Sequence, residues 1–456
     1  MTGSWALFTP GFAVGAACAR RRRPPVGHGQ QRPASNVGHH GGVTSPPPSP
    51  DDLTGAQRPR AARRALREGW TLRRTASTVT IVLLALFVVV PVPYAIEAPG
   101  PTENVLGTVP TPADDGTGSS DAGADSAGTA DTTPLITVTG TETHPTTGRL
   151  LMTTVSGWGS PSSPLNAFDV LRTWASKKTA VVPIEVLYPR GRTQEQTDQQ
   201  NAADMVTSQQ SAVVAALTEL GYTVPATITV AGGVTYSELG AQSAVTSGDT
   251  LAGDVVKEGD VITSLQGSAV TTYQDLLAGV ATLTPGDKVS LGVERGGEAL
   301  TLRFRAIADP SDPAKALLGL YLDPTFDPPF TVDISLGDEI GGPSAGSMFA
   351  LGIIDKIGGG DLTRGKTVAG TGTIELDGSI GAIGGIRRKM YGALQAGAVA
   401  FLAPASNCDE VYGNVPDGLD VYAVSTLHEA REALTKVGTG DTASLPVCGP
   451  AGAVAP

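Results

Sequence analysis

At 456 residues the chain has room for about two or three domains, while 58 glycines, 34 prolines and an aromatic share of 5% imply long stretches outside any core. The net charge of -12 conceals a split: residues 1–75 hold twelve arginines and three acids, and the remainder holds 20 basic residues against 41 acids. So acidic a body repels phosphate, which excludes nucleic-acid binding along most of the chain.

In chain order, residues 1–75 form a basic segment expected to be disordered and cytoplasmic, rich in Pro, Gly, Arg and Ser. A start codon downstream of Met1 is compatible with its composition. Residues 76–96 follow, with TVTIVLLALFVVV uncharged from Thr78 to Val90 and Arg58, Arg60, Arg63, Arg64, Arg67, Arg73 and Arg74 before it. Their apolar length approaches the ~20 residues of a transmembrane helix. The positive-inside rule then leaves the N-terminus cytoplasmic and the rest outside; a cleaved signal peptide is the alternative. Residues 97–134 read as a flexible extracytoplasmic linker, almost without large apolar side chains from Thr108 to Pro134.

Residues 135–225 open the folded ectodomain. Leu135–Val138 and Leu150–Val155 are β-branched and apolar enough for strands, and Asn201–Leu220 carries Met205, Ala212, Val213, Ala216 and Leu217 at helical spacing. Residues 226–308 change to short strands and turns. There LAGDVVKEGDVITSLQGSAV, from Leu251 to Val270, resembles the PDZ pattern L-x-x-G-D-x-I-x-x-x-x-G-x-x-V, and Tyr273–Ala281 fits the helix bordering a PDZ peptide groove. This resemblance implies capture of a chain terminus by strand addition at a sheet edge. Gly232-Gly233-Val234 is the nearest candidate for the carboxylate-binding loop; a module that only spaces or docks its neighbour is the other reading.

The chemistry concentrates in residues 316–437, ahead of a C-terminal tail, 438–456. Gly341-Gly342-Pro343-Ser344-Ala345-Gly346 precedes the apolar run SMFALGII. Proline suits a first helical turn, which places Ser344 at a helix N-terminus, where free N–H groups favour a developing oxyanion. Taken alone, this motif reads equally as a cap. Further on, Gly384-Gly385 leads into a helix whose Ile386, Met390 and Leu394 form an apolar stripe. Lys389 adjoins that stripe and can lean inward while Arg387 and Arg388 stay wet. A lysine serves as base only where burial leaves its amine neutral; an ordinary solvated helix lysine is the alternative. His428 is the sole histidine of this region.

Together these motifs resemble the proteolytic domain of Lon, which has P-S-A-G, then T-G-E-I, then G-G-L/I-K-E-K. Here stand Pro343-Ser344-Ala345-Gly346, Thr371-Gly372-Thr373-Ile374 and Gly384-Gly385-Ile386-Arg387-Arg388-Lys389. The resemblance implies a serine endopeptidase with nucleophile Ser344, base Lys389 and Thr371 orienting the lysine. The serine and lysine are 45 positions apart, close to the family spacing. Gly341 and Thr373 replace the family's usual Asp and Glu, departures that bear on tuning rather than on nucleophile or base. The full order resembles bacterial membrane-anchored, PDZ-containing Lon-like peptidases.

Gly360–Thr367 satisfies G-x-x-x-x-G-K-S/T, but β-like residues follow where a phosphate loop needs a helix. No ATP, cofactor or metal is therefore expected. Cys408 and Cys448 lie on the side where disulfides persist and are expected to pair, two free thiols being the other state. The fold class expected is α+β and multidomain: a single N-terminal transmembrane helix, a PDZ-like module and a C-terminal Lon-type domain. The function expected is ATP-independent cleavage of extracytoplasmic proteins or peptides by a membrane-anchored chain, with the PDZ-like domain selecting substrate and a homo-oligomer possible. The rival is a catalytically inactive membrane-anchored PDZ scaffold of the cell envelope.

Overall fold

The computed structural model describes residues 5–6, 75–87, 89–110, 132–174, 176–188, 191, 193–239, 245–246, 248–336, 342–452 and 454–455. They divide into two units, 10–89 and a larger one made of 1–9 and 90–456. In the smaller unit residues 75–87 are helical. Among the described residues no helix is long and apolar enough to cross a membrane. The expected span of 76–96 is also shortened at its end, because Pro91–Val92 pairs with Leu165–Asn166 and a long strand starts at Tyr94.

The larger unit begins with β1 (Tyr94–Asn104), β2 (Arg149–Trp158), β3 (Ala180–Pro183) and α1 (Gln194–Glu219). The helix starts at Thr193, whose hydroxyl accepts the Gln196 N–H while the Gln196 side chain accepts the Thr193 N–H. Then come β4 (Ala226–Gly233), β5 (Val261–Leu265), α2 (Tyr273–Ala281), β6 (Lys288–Arg295), β7 (Glu298–Arg305) and β8 (Leu320–Phe326). The chain closes with α3 (Gly346–Ile357), β9 (Thr367–Gly370), α4 (Ile386–Gln395), β10 (Ala400–Pro404), β11 (Asp420–Val424) and α5 (Leu427–Thr439).

One sheet has the order β11-β10-β9-β2-β1-β3. β11, β10, β9 and β2 are parallel; β1 and β3 are antiparallel to their neighbours. Its side chains alternate between two buried faces, as the period-2 pleat demands. Leu150, Met152, Val368, Leu402 and Tyr422 join one core with α3; Leu151, Ala369, Phe401 and Val421 join the other with Ile386, Met390 and Ala393 of α4. Both faces are covered, which explains the continuous apolar runs in these strands.

The second sheet, β8-β4-β5-β6-β7, is antiparallel and packs α2 against its own core of Ile228, Ile262, Leu276, Leu291 and Phe304. Trp5–Ala6 pairs with Tyr321–Leu322 beyond β8, so this part of the basic segment is ordered strand.

Several expected boundaries shift. Residues 97–104 lie inside β1, hydrogen-bonded in a six-stranded sheet, and Thr108–Pro110 pairs with Thr132–Pro134, so only 111–131 of the expected linker lies outside the described residues. The segment 135–225 shares its sheet and core with the peptidase-like region rather than forming a separate part. The PDZ-like sheet extends past 308, since β8 completes it by pairing with β4, and the C-terminal region starts after that strand rather than at 316. The tail 438–456 folds back: Leu445 is buried, the Ala423 N–H donates to the Pro446 carbonyl, and Val447–Cys448 pairs with Val454–Ala455. Each correction has one cause: backbone pairing recruits strands far apart in sequence, which local composition does not report.

Candidate active site

Ser344 belongs to a short turn, Pro343–Ala345, that opens into α3. Gly342 before it has φ +95°, a backbone angle that favours glycine. The turn is pinned from α1, where the Ser208 hydroxyl donates to the Pro343 carbonyl at 3.0 Å. Gly346 permits that packing, since a Cβ there would lie 2.5 Å from Ser208 Oγ. Lys389 approaches from the opposite face of the sheet on α4. That helix starts at Gly385, φ +70°, where a Cβ would meet Val155 at 2.7 Å.

The two side chains meet beyond the carboxyl end of β9. Lys389 Nζ lies 2.6 Å from Ser344 Oγ and 3.0 Å from Thr371 Oγ1. The Thr371 hydroxyl donates to the Ser344 carbonyl at 2.9 Å, and the Gly372 N–H donates to the same carbonyl at 2.8 Å. Lys389 is 4% exposed and Thr371 1% exposed. Removal from water lowers the Lys389 pKa to about 8. An amine so placed is partly neutral near neutral pH and can accept a proton from the hydroxyl it touches.

All three residues singled out for chemistry are thus brought together. Cys408 and Cys448 also come together, bonded with Cα atoms 4.9 Å apart. Gly232-Gly233-Val234 does not form an open loop. Gly232 and Gly233 pair with Tyr321 and Leu320 in the ladder, and a Cβ on Gly233 would strike the Gly253 backbone at 2.8 Å. Gly341 lies outside the described residues. Arg388 is not wet as expected: its side chain is 13% exposed and faces Glu97 of β1 at 3.8 Å. His428 is mostly exposed and bonds Glu219 at 2.9 Å, away from the dyad. Gly360–Thr367 leads into β9, not into a helix. Among the described residues no cluster of ligating side chains could hold a metal ion.

Sequence reading missed Asn407. Its buried amide accepts from the Ile383 N–H and donates to the Ile383 carbonyl, both at 2.9 Å, clamping the loop that launches α4. Nothing local marks it; a buried asparagine is recognisable only once its partners are known.

With this geometry in view, residues 339–436 match the family model of the Lon protease (S16) C-terminal proteolytic domain, and residues 229–305 match that of the PDZ domain. The chain is 38% identical over 92 residues to Lon protease 1 of Sorangium cellulosum, covering 20% of this chain and 11% of that protein. It is 35% identical over 119 residues to the Lon protease of Citrifermentans bemidjiense, covering 25% and 15%. It is 36% identical over 98 residues to Lon protease 2 of Bacillus subtilis, covering 22% and 17%. The match therefore spans 17% or less of these three relatives' length. The chain carries a serine peptidase domain of the Lon proteolytic type and a PDZ domain.

Proposed function

We propose that this chain is a membrane-tethered, ATP-independent serine endopeptidase acting on proteins outside the cytoplasm. The observation that carries the chemistry is the 2.6 Å contact between Ser344 Oγ and a buried Lys389 amine. In the reactive state the neutral amine accepts the Ser344 proton as Oγ attacks the scissile carbonyl, and donates one of its own N–H groups to Thr371 Oγ1. The resulting ammonium then protonates the leaving amine. The Ser344 N–H, at the start of the helical turn, stabilises the oxyanion. Thr371 is a positioning residue that joins the lysine to the serine's own backbone.

Absence of an ATP requirement is supported by Gly360–Thr367 running into a strand. The PDZ domain would select substrate by strand addition at β8, an edge that already accepts Trp5–Ala6. The tether rests on the uncharged run ending at Val90 and the arginines before it. A bilayer crossing there excludes the Trp5–Ala6 pairing in the same molecule, and the charge asymmetry favours the crossing.

The test is cleavage of an unstructured protein substrate by the full chain, without ATP. The wild type should cleave, with kcat/KM rising through an apparent pKa near the amine's value of about 8; Ser344→Ala and Lys389→Ala should both abolish it. Full activity in either variant ends the dyad reading.

A further inference from the structure

Aromatic and aliphatic side chains are turned outward at one end of the larger unit. The helix Ala167–Trp174 has no fully buried residue, and its outer face presents Phe168, Leu171 and Trp174, the last 77% exposed. The inner face carries Ala167, Asp169, Val170 and Thr173, all half-buried. This polarity is inverted relative to an ordinary surface helix, which turns its apolar stripe inward. Neighbouring strands add exposed Tyr94 and Trp158, paired respectively with Pro183 and Ile96. Monomeric proteins rarely expose contiguous apolar patches of this kind without a partner.

Two observations identify the partner. Exposed Arg172, Lys177 and Lys178 rim the patch, with half-buried Asp169 the acid on the helix. In addition, the strand that enters this unit, Pro91–Val92, pairs with Leu165–Asn166, the two residues directly before the helix. The surface thus lies at the point where the chain leaves its uncharged run.

We propose that the Ala167–Trp174 helix with Trp158 and Tyr94 is a lipid-docking surface. It rests in the headgroup region of an anionic bilayer, the aromatic rings at the interface and the basic rim on lipid phosphates. The proposal rests on the membrane tether, and adds to it a second point of contact that fixes the peptidase close to the bilayer.

The full chain carries four tryptophans. With Trp5→Phe and Trp70→Phe, only Trp158 and Trp174 report. This protein is reconstituted into phosphatidylcholine–phosphatidylglycerol vesicles with plain or brominated acyl chains. Bromination should reduce tryptophan emission about twofold, and Phe168→Ser with Leu171→Ser should restore it. If the protein does not float with the vesicles, tether and docking surface both fail. Flotation without quenching overturns the docking surface alone and leaves the tether standing. A concentration-dependent blue shift without quenching also overturns it, because a second copy then covers the patch.

Discussion

Replacing Lys389 by methionine separates what the base does for catalysis from what it costs the fold. The side chain is 4% exposed and burial lowers its pKa from 10.5 to about 8. A group whose folded pKa is depressed in this way carries a penalty that is fully present below pH 8. The penalty fades as pH rises from about 8 and is gone above 10.5, where both folded and unfolded lysine are neutral. A depression of that size corresponds to about 3 kcal/mol. Methionine fills a similar volume and removes the penalty, but loses the bonds to Ser344 Oγ and Thr371 Oγ1, each of about 1 kcal/mol. The net expectation is an inactive protein about 1 kcal/mol more stable than wild type at pH 7. Wild-type stability should then gain on the variant between pH 8 and 10.5, and overtake it by the upper limit. Urea unfolding of the full chain at pH 7 and pH 10.5 reads both arms. A variant less stable at pH 7, or a difference that does not change with pH, refutes the account of Lys389 as a buried, partly neutral amine.

Thr371→Val removes the hydroxyl between Lys389 and the Ser344 carbonyl; kcat should fall about tenfold or more with KM little changed, whereas Thr371→Ser should retain most activity. Opening the Cys408–Cys448 bridge, which closes a loop of sequence separation 40, should lower stability by about 4 kcal/mol; equal thermal midpoints for wild type and a Cys408→Ala, Cys448→Ala variant would remove it as a staple. Asp355 is fully buried with Oδ2 unpartnered among the described residues, and burial raises its pKa to about 6. The folded state holds that proton where the unfolded state has lost it, so stability should fall as pH rises from about 4 to 6. Asp355→Asn should flatten that slope in pH-dependent unfolding, and an unchanged slope counts against the assignment.

The sequence by itself singled out Ser344, Lys389 and Thr371 and set the types of two domains. Both rest on local signals: Pro343-Ser344-Ala345-Gly346 builds a helix start, Gly384-Gly385 followed by a short amphipathic helix carries Lys389, and Leu251–Val270 carries the PDZ turn pattern. The same local character let composition set the charge split around the apolar run. Tertiary structure alone decided where the domains begin and end. β1 and β2 precede the PDZ domain in sequence, yet they pair in the same sheet as β9, beside which Ser344 and Lys389 meet, and backbone ladders leave no mark in local composition. It also decided burial. Among the consecutive Arg387, Arg388 and Lys389, the sequence marked Lys389 as able to lean inward and left both arginines wet. The helix angle turns Lys389 into a dry site against Ser344 and Arg388 toward Glu97. Desolvation, which depends on every neighbour at once, is what makes one of the three an amine able to take a proton.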